Sequence, residues 1–484
     1  MSYGIFCSLV RSFRLVENTL ICQSPTSLYR PQVYQSARMT PSLSPSAPQP
    51  STLGAAHNAR DAVANEHTIA PSEIAVGVII GRASEYFDFF VYAIASVLVF
   101  PAVFFPFADK LQGTLWSFVI FSFAFFGRPI GTVVFMAIEK RYGRGVKLTA
   151  ALFLLGVSTA GIAFLPTYTT LGAVAIMLLS VLRFSQGIAL GGSWDGLSSL
   201  LAMTAPKAHR GWWAMIPQLG APIGYMIAAS LFLYLHSQLS TKDFLDWGWR
   251  YPFYVAFAIN VVALFARLRL VVTHEYEQLM QLNTLQPSPV GEIIKARGSN
   301  LFIGAFAALA SYALFHLVTV FPLSWITLYS NQSVNEVLVM QILGGAVAIA
   351  GVVASGLIAD RFGRRNTLGS LAILIALFSF VAPWLLGSSG LGEDIFILVG
   401  FGLLGLSYGQ AAGAVTSNFE AKYRYTGAAL TSDLAWLIGA AFAPLVALSL
   451  SANFGLGFMG AYLFSGAACT LVALRVNKVR ENRG

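Results

Sequence analysis

Charge is what this chain has least of. Asp, Glu, Lys and Arg together make up 11% of its 484 residues, where a soluble domain carries about 25%. That deficit excludes a soluble globular enzyme, including one held by a single anchor. Cysteine is nearly absent: Cys7, Cys22 and Cys469 are the whole set, two of them in the N-terminal tail, so no disulfide framework is indicated. No metal-ligand spacing, phosphate-binding loop or nucleophile elbow occurs, and without a reactive constellation neither an enzyme nor a cofactor is expected.

What is abundant is apolar. Hydrophobic residues make up 56% of the chain and the mean hydropathy is +0.68, the composition of a polytopic membrane protein. Residues 1–71 are the exception. They are rich in Ser, Pro, Ala and Gln without a periodic apolar pattern, and read as a disordered tail. Ile5 to Leu20 is broken by Arg11, Arg14 and Glu17 and makes a poor signal peptide. Met39 offers a second start, so residues 1–38 could be a start-site artefact.

Twelve apolar spans follow, near 74–104, 114–137, 147–165, 170–202, 212–235, 251–271, 300–327, 335–358, 367–387, 394–417, 427–449 and 455–475. Each is long enough for a membrane helix. Alternate connections hold nineteen basic residues, among them Lys140, Arg141, Arg144, Lys147, Lys207, Arg210, Arg267, Arg269, Lys295, Arg297, Arg361, Arg364, Arg365, Lys422 and Arg424; the opposite connections hold three, Lys110, Lys242 and Arg250. The positive-inside rule puts the basic set and both termini in the cytoplasm. The net charge of +9 is thereby topological, and no nucleic-acid partner is expected, since that would need the charge gathered on one folded domain.

The chain repeats itself. Arg141-Tyr142-Gly143-Arg144 follows span two, and Arg361-Phe362-Gly363-Arg364 follows span eight, 220 residues later. Two six-helix halves in the same orientation are expected: a bundle over 72–271, a cytoplasmic linker over 272–299, a second bundle over 300–475 and a tail over 476–484.

The first span contains Gly81-Arg82-Ala83-Ser84-Glu85-Tyr86-Phe87-Asp88-Phe89-Phe90-Val91-Tyr92. Each charge at a membrane centre costs roughly 2.5–3.5 kcal/mol. At about 100° per residue Arg82, Glu85, Asp88 and Tyr92 share one third of the circumference, so the stripe has to face a wet cavity or other helices. An Arg82–Glu85 bridge could merely lock helices together, but it leaves Asp88 over. Arg128 and Arg183 also lie within spans; either could bind an anionic substrate or neutralise an acidic neighbour. His316 reads as a packing residue, while Asp433, an acid inside a span, must titrate or pair.

Several segments together carry a family resemblance: Glu85-Tyr86-Phe87-Asp88-Phe89, Gly127-Arg128-Pro129-Ile130-Gly131, Leu182-Arg183-Phe184-Ser185-Gln186-Gly187, Gln218-Leu219-Gly220-Ala221-Pro222-Ile223-Gly224, Trp247-Gly248-Trp249-Arg250-Tyr251-Pro252-Phe253, Asp360-Arg361-Phe362-Gly363-Arg364-Arg365 and Arg424-Tyr425-Thr426-Gly427. In this order, over about 74–475, the chain resembles the metabolite:proton symporters of the major facilitator superfamily, which include α-ketoglutarate, shikimate, citrate and proline/betaine permeases. The resemblance implies an all-α fold of twelve transmembrane helices in two parallel six-helix repeats, acting as a plasma-membrane transporter, in the inner membrane if bacterial. It implies proton-coupled symport of a small organic acid or zwitterion by a monomer. A facilitator or exporter without proton coupling is the alternative within transport, and a non-transporting membrane sensor lies further off. The candidate substrate-binding residues are Arg82, Tyr92, Arg128, Arg183 and Gln186, and the proton-coupling candidates are Asp88, Glu85 and Asp433. Gating loops are expected at Lys140, Arg141, Gly143 and Arg144 and at Asp360, Arg361, Gly363 and Arg364.

The sequence departs from that pattern in places. Lys140 stands where an acid is usual, with Glu139 one place earlier, so the first gating loop is expected to rely less on a carboxylate than the second does on Asp360. Gly191-Gly192-Ser193-Trp194-Asp195-Gly196 has its acid two positions later than the family's, and Met203 stands where a Glu is common.

Overall fold

The computed structural model describes residues 71–193, 201, 206–271, 286–388, 390–416 and 419–481, and every regular element among them is helical. The tail before residue 71, the segment Trp194–Asp195–Gly196, Met203 and the linker over 272–285 lie outside the described residues. Eleven of the described helical segments are long and apolar enough to cross a membrane. A further long helix, α1 (Pro71–Leu98), differs from them in carrying Arg82, Glu85 and Asp88. The eleven are α2 (Lys110–Tyr142), α3 (Arg144–Phe164), α4 (Ala173–Gly192), α5 (Arg210–Gln238), α6 (Gly248–Leu268), α7 (Leu309–Tyr329), α8 (Val334–Phe362), α9 (Arg364–Gly387), α10 (Leu391–Ala411), α11 (Lys422–Phe454) and α12 (Gly457–Asn477).

Local chemistry sets the ends and breaks. Asp109 caps α2 by accepting from the Gln112 amide at 2.8 Å, and Ser333 with Glu336 forms a reciprocal capping box at the start of α8. The two repeated loops turn on glycines with positive φ, Gly143 at 86° and Gly363 at 82°, a conformation costly for any residue with a Cβ. From Arg141 and from Arg361 the next eight residues share one burial pattern, exposed at the turn and buried by the seventh and eighth, so the repeat is structural as well as sequential. Pro217 sits in a 3₁₀ segment inside α5, Pro322 follows a bend at Val320 in α7, and α11 loosens into a π turn over Trp436–Ala440 just before Pro444.

The segment expected as span seven begins later than 300. Residues 290–307 form their own helix, bent at Arg297, and α7 starts at Leu309. The expected linker boundary at 299 therefore falls inside a helix. That helix is clamped to the start of α11, where Glu292 accepts from Lys422 Nζ at 2.5 Å and Tyr423 OH at 2.7 Å; those two bonds hold the Glu292 carboxyl below the ordinary range. Arg267, counted above with the loops, is instead buried on α6.

The helices pack around α7: 94% of an 18-residue apolar stretch of it is buried, against 33–67% of the corresponding stretches of the other ten. Its own Phe315 and the rings of its neighbours, Phe89, Phe90, Tyr225, Tyr408 and Trp436, fill the centre. Helices α2 and α4 meet backbone to backbone, and a Cβ on Gly187 would strike the Ala124 carbonyl oxygen. Gly187→Ala should thus lower the melting temperature of the purified protein, with overpacking costing about 1–3 kcal/mol. Gly291→Ala, where a Cβ meets nothing within 4 Å, should leave it unchanged or raised. Equal melting temperatures for wild type and Gly187→Ala would show that the α2–α4 contact tolerates separation.

Candidate functional site

The polar stripe of α1 divides between two networks. Glu85 lies between two guanidiniums, accepting from Arg82 Nη1 at 2.9 Å on its own helix and from Arg267 Nη1 of α6 at 2.6 Å. The internal bridge expected from the i,i+3 spacing is present, and a second arginine from a distant helix shares the carboxylate. Ser84 Oγ donates to Asn260 Oδ1 of the same α6 at 3.1 Å.

Asp88 belongs to the other network. Thr159 Oγ1 of α3 donates to Asp88 Oδ1 at 2.7 Å, and Gln186 Nε2 of α4 reaches Asp88 Oδ2 at 3.4 Å and Thr159 Oγ1 at 2.9 Å. Arg183 stands behind Gln186, donating through Nη1 to Gln186 Oε1 at 3.0 Å and through Nε to the Phe121 carbonyl at 3.3 Å. Its guanidinium lies over the ring of Tyr92 at 3.9 Å and beside Phe121 at 4.9 Å. Among the described residues no Lys or Arg nitrogen comes within 4 Å of the Asp88 carboxylate, in contrast to Glu85 and Asp433. His316 of α7 is packed against the rings of Phe89 and Phe121, but neither of its buried ring nitrogens has a hydrogen-bond partner among the described residues.

Between the halves, Arg82, Glu85, Tyr86, Phe89, Arg128, Leu190 and Trp436 line one pocket. Tyr86 and Tyr408 meet through their hydroxyls. Arg128 of α2 extends over Trp436 at 5.5 Å and donates from Nε to Asp433 Oδ1 of α11 at 3.3 Å, while Thr132 Oγ1 holds Asp433 Oδ2 at 2.5 Å. Of the five expected substrate-binding residues, the structure brings Arg82 and Arg128 together on the pocket. It sets Arg183, Gln186 and Tyr92 apart in the buried network around Asp88.

At the basic end two carboxylates bridge the halves. Asp360 accepts from the Gly211 and Trp212 amides at the start of α5, at 2.6 and 3.3 Å, and Arg364 Nη2 donates to the Arg210 carbonyl at 3.1 Å. The counterpart in the first half differs from expectation. Lys140 and Arg141 are exposed, but Glu139 is buried and accepts from Arg144 Nε at 2.6 Å, Lys147 Nζ at 2.7 Å and Tyr425 OH of α11 at 3.0 Å. The first loop does not rely less on a carboxylate. It uses one displaced by one residue, and the roughly 100° turn per residue points 139 inward where 140 points out. Arg361 is exposed over Phe362, as Arg141 is over Tyr142.

Sequence reasoning missed Arg267, Thr159, Thr132 and the role of Glu139. Arg267 had a signal, since it falls within the span drawn over 251–271. The threonines had none, because a hydroxyl in an apolar helix ordinarily bonds its own backbone.

An all-helical bundle with a duplicated turn, a central pocket and carboxylate bridges between its halves has the make-up of a membrane transporter. The family model for the Major Facilitator Superfamily matches residues 89–444, and the chain belongs to that superfamily; it is a multi-pass membrane transporter and not an enzyme. It is 37% identical over 412 residues to the inner membrane metabolite transport protein YhjE of Escherichia coli K12, covering 83% of this chain and 93% of that protein. It is 29% identical to the shikimate transporter of the same organism, covering 84% and 94%. The crystal structure of a D-xylose–proton symporter shares its fold with a TM-score of 0.64 at 18% identity, covering 83% of this chain and 96% of that one.

The Glu139 cluster yields a direct test. Glu139→Gln leaves Lys147 buried without its carboxylate, and breaking a buried pair from one side costs about 3–5 kcal/mol. A clear drop in melting temperature is expected, and Lys140→Asn, at an exposed position, should stay within about 0.5 kcal/mol of wild type. Equal effects of the two substitutions would remove Glu139 from its bridging role.

Proposed function

We propose that this chain is a proton-coupled symporter of a small carboxylate or zwitterionic metabolite, working by alternating access as a single chain in the plasma membrane. The observation that carries the reading is the pairing of Arg82 and Arg128, from two helices, on one ring-lined pocket between the halves. Guanidiniums bind carboxylates bidentately, and the rings suit the rest of a small organic molecule. The similarity to the shikimate transporter supports a carboxylate.

Asp88 is the proton carrier in this reading. Its carboxylate is held by neutral donors, Thr159 and Gln186, with Arg183 one contact removed. Glu85 and Asp433, by contrast, are paired directly with arginines. An acid held by neutral donors can be stable either way, and its proton can follow which side of the bundle is open. With a zwitterionic substrate one proton brings one net positive charge per cycle, which draws about 2.3 kcal/mol per 100 mV, enough for roughly fiftyfold accumulation; a monocarboxylate and one proton enter as an electroneutral pair driven by the pH gradient.

The basic loops place the Asp360 and Glu139 bridges on the cytoplasmic side in this reading, so the structure is closed toward the cytoplasm. A reporter fused after Gly484 should be active only inside the cell; activity only outside would reverse the orientation.

The reading is tested in proteoliposomes with a screen of organic acids and betaines. Asp88→Asn should lose accumulation driven by a proton gradient and keep substrate counterflow. Arg82→Lys should raise KM about tenfold, because an ammonium cannot copy a fork worth about 1.5–3 kcal/mol. Undiminished gradient-driven accumulation by Asp88→Asn would dismiss it as the proton carrier, and wild-type kinetics in Arg82→Lys would count against carboxylate binding there.

A further inference from the structure

Arg128 is joined to the second half of the molecule by one nitrogen. Its Nε reaches Asp433 at 3.3 Å, longer than the 2.7–2.9 Å usual for a charge-assisted bond. It is also longer than the Glu85 contacts to Arg267, 2.6 Å, and Arg82, 2.9 Å, and the Glu139 contact to Arg144, 2.6 Å. Its two terminal nitrogens make no hydrogen bond among the described residues, and the side chain lines the pocket. Asp433 is itself 3% exposed and takes its second bond from Thr132, also on α2, at 2.5 Å. An arginine on a binding pocket is thus half engaged by a carboxylate that belongs to the protein and comes from 305 residues away.

We propose that Asp433 is an internal competitor for the substrate: its carboxylate occupies the Arg128 subsite while the pocket is empty, and the carboxylate of an arriving substrate displaces it. This deepens the carboxylate reading above and rests on it. The exchange has a mechanical consequence. Arg128, Thr132, Met136 and Glu139 recur at helical spacing along α2, and Asp433 and Tyr425 lie eight residues apart on α11, so the two helices are fastened at two heights by Arg128–Asp433 and by Glu139–Tyr425. Asp433 sits three residues before the π turn over Trp436–Ala440, where α11 departs from regular helical winding. Displacing Asp433 undoes the inner fastening between α2 and α11 and leaves the outer one, Tyr425 with Glu139 and Lys147, in place. A substrate can only shift such an equilibrium by binding the released state better, and a two-bond fork from a substrate carboxylate to Nε and one terminal nitrogen, in place of the single Asp433 bond, supplies that difference. Asp433 is on this account a positioning residue, acting through Arg128.

The sign of one effect separates this role from the alternatives. In full-length protein, binding of shikimate, an anion, and of glycine betaine, a zwitterion, is measured at equilibrium. Removing a competitor tightens binding, so Asp433→Asn should lower the Kd of whichever probe wild type binds by about fivefold, and Arg128→Gln should weaken it. Thr132→Val, which takes away the other bond to Asp433, should also tighten binding, where a folding defect would weaken it. Unchanged or weaker binding by both Asp433→Asn and Thr132→Val would overturn the proposal. A second readout needs no ligand. Met136, buried between the two fastenings, is replaced by Cys in a background without Cys7, Cys22 and Cys469. Inside-out vesicles are then treated with a membrane-impermeant thiol reagent. Met136→Cys should be protected with Asp433 intact and labelled with Asp433→Asn; equal protection would overturn the fastening role. Failure of every form to bind either probe, with Met136→Cys exposed by Asp433→Asn, would count against these carboxylates as cargo and leave the Asp433 fastening standing.

Discussion

A carboxylate carried into a membrane-spanning bundle loses its water, and the loss is repaid only by donors that the protein brings from elsewhere. In this molecule those donors come from other helices almost every time. Glu85 of α1 is met by Arg267 of α6, Asp88 of α1 by Thr159 of α3 and Gln186 of α4, and Asp433 of α11 by Arg128 and Thr132 of α2. Apolar packing between helices in a bilayer is weakly directional, since lipid tails are as apolar as leucine. The buried acids therefore do much of the work of deciding which helix lies against which. They fall into two kinds: those within a half, such as Glu85 with Arg267, and those across the halves, such as Asp433 with Arg128, which the proposed cycle would have to part.

Glycine and the aromatic rings divide the remaining task. Where α2 crosses α4, backbone touches backbone at Gly187, and such a pair moves as one body. Where the halves face each other, the contact is instead made by rings: Phe90 stacked on Phe315 with centroids 5.6 Å apart, Phe125 stacked on Trp436 at 6.1 Å. Flat side chains with two soft torsions can part and re-stack at small cost in rotamer freedom. The interior is thus rigid within each half and slippery between them.

Much of this was readable in the sequence, because the strongest constraints on a membrane helix are local. Length, apolarity and the Arg-aromatic-Gly-Arg turns located the helices and their repeat, and the charges on α1 marked the side of that helix that meets other helices. Pairing was not readable. Arg128 and Asp433 were each conspicuous, but nothing local joins residues 305 apart, and Arg267 looked like a loop charge because it lies one turn from the end of its helix. Lys140 misled for a related reason: a family position was matched by alignment, whereas the structure matches it by direction, and Glu139 points the right way. The segment holding Trp194 and Asp195 departs from the family pattern and lies outside the described residues.

The length of α2 has a consequence of its own. Its 33 residues span about 50 Å, against a hydrocarbon core of about 30 Å. Glu139 lies eleven residues beyond Arg128, or about 16 Å along the axis. With the pocket at the midplane, the inner fastening sits in hydrocarbon and the outer one at the level of the lipid headgroups. While closed, Glu139 and Lys147 are shielded by protein and bulk salt hardly reaches them. Once open they meet counter-ions and charged lipids, which favour the separated pair. In the proposed cycle the closure of the molecule would therefore be set partly by its solvent: ionic strength and the charge of the adjoining leaflet would act on the open form alone, and bias the cycle without touching the pocket.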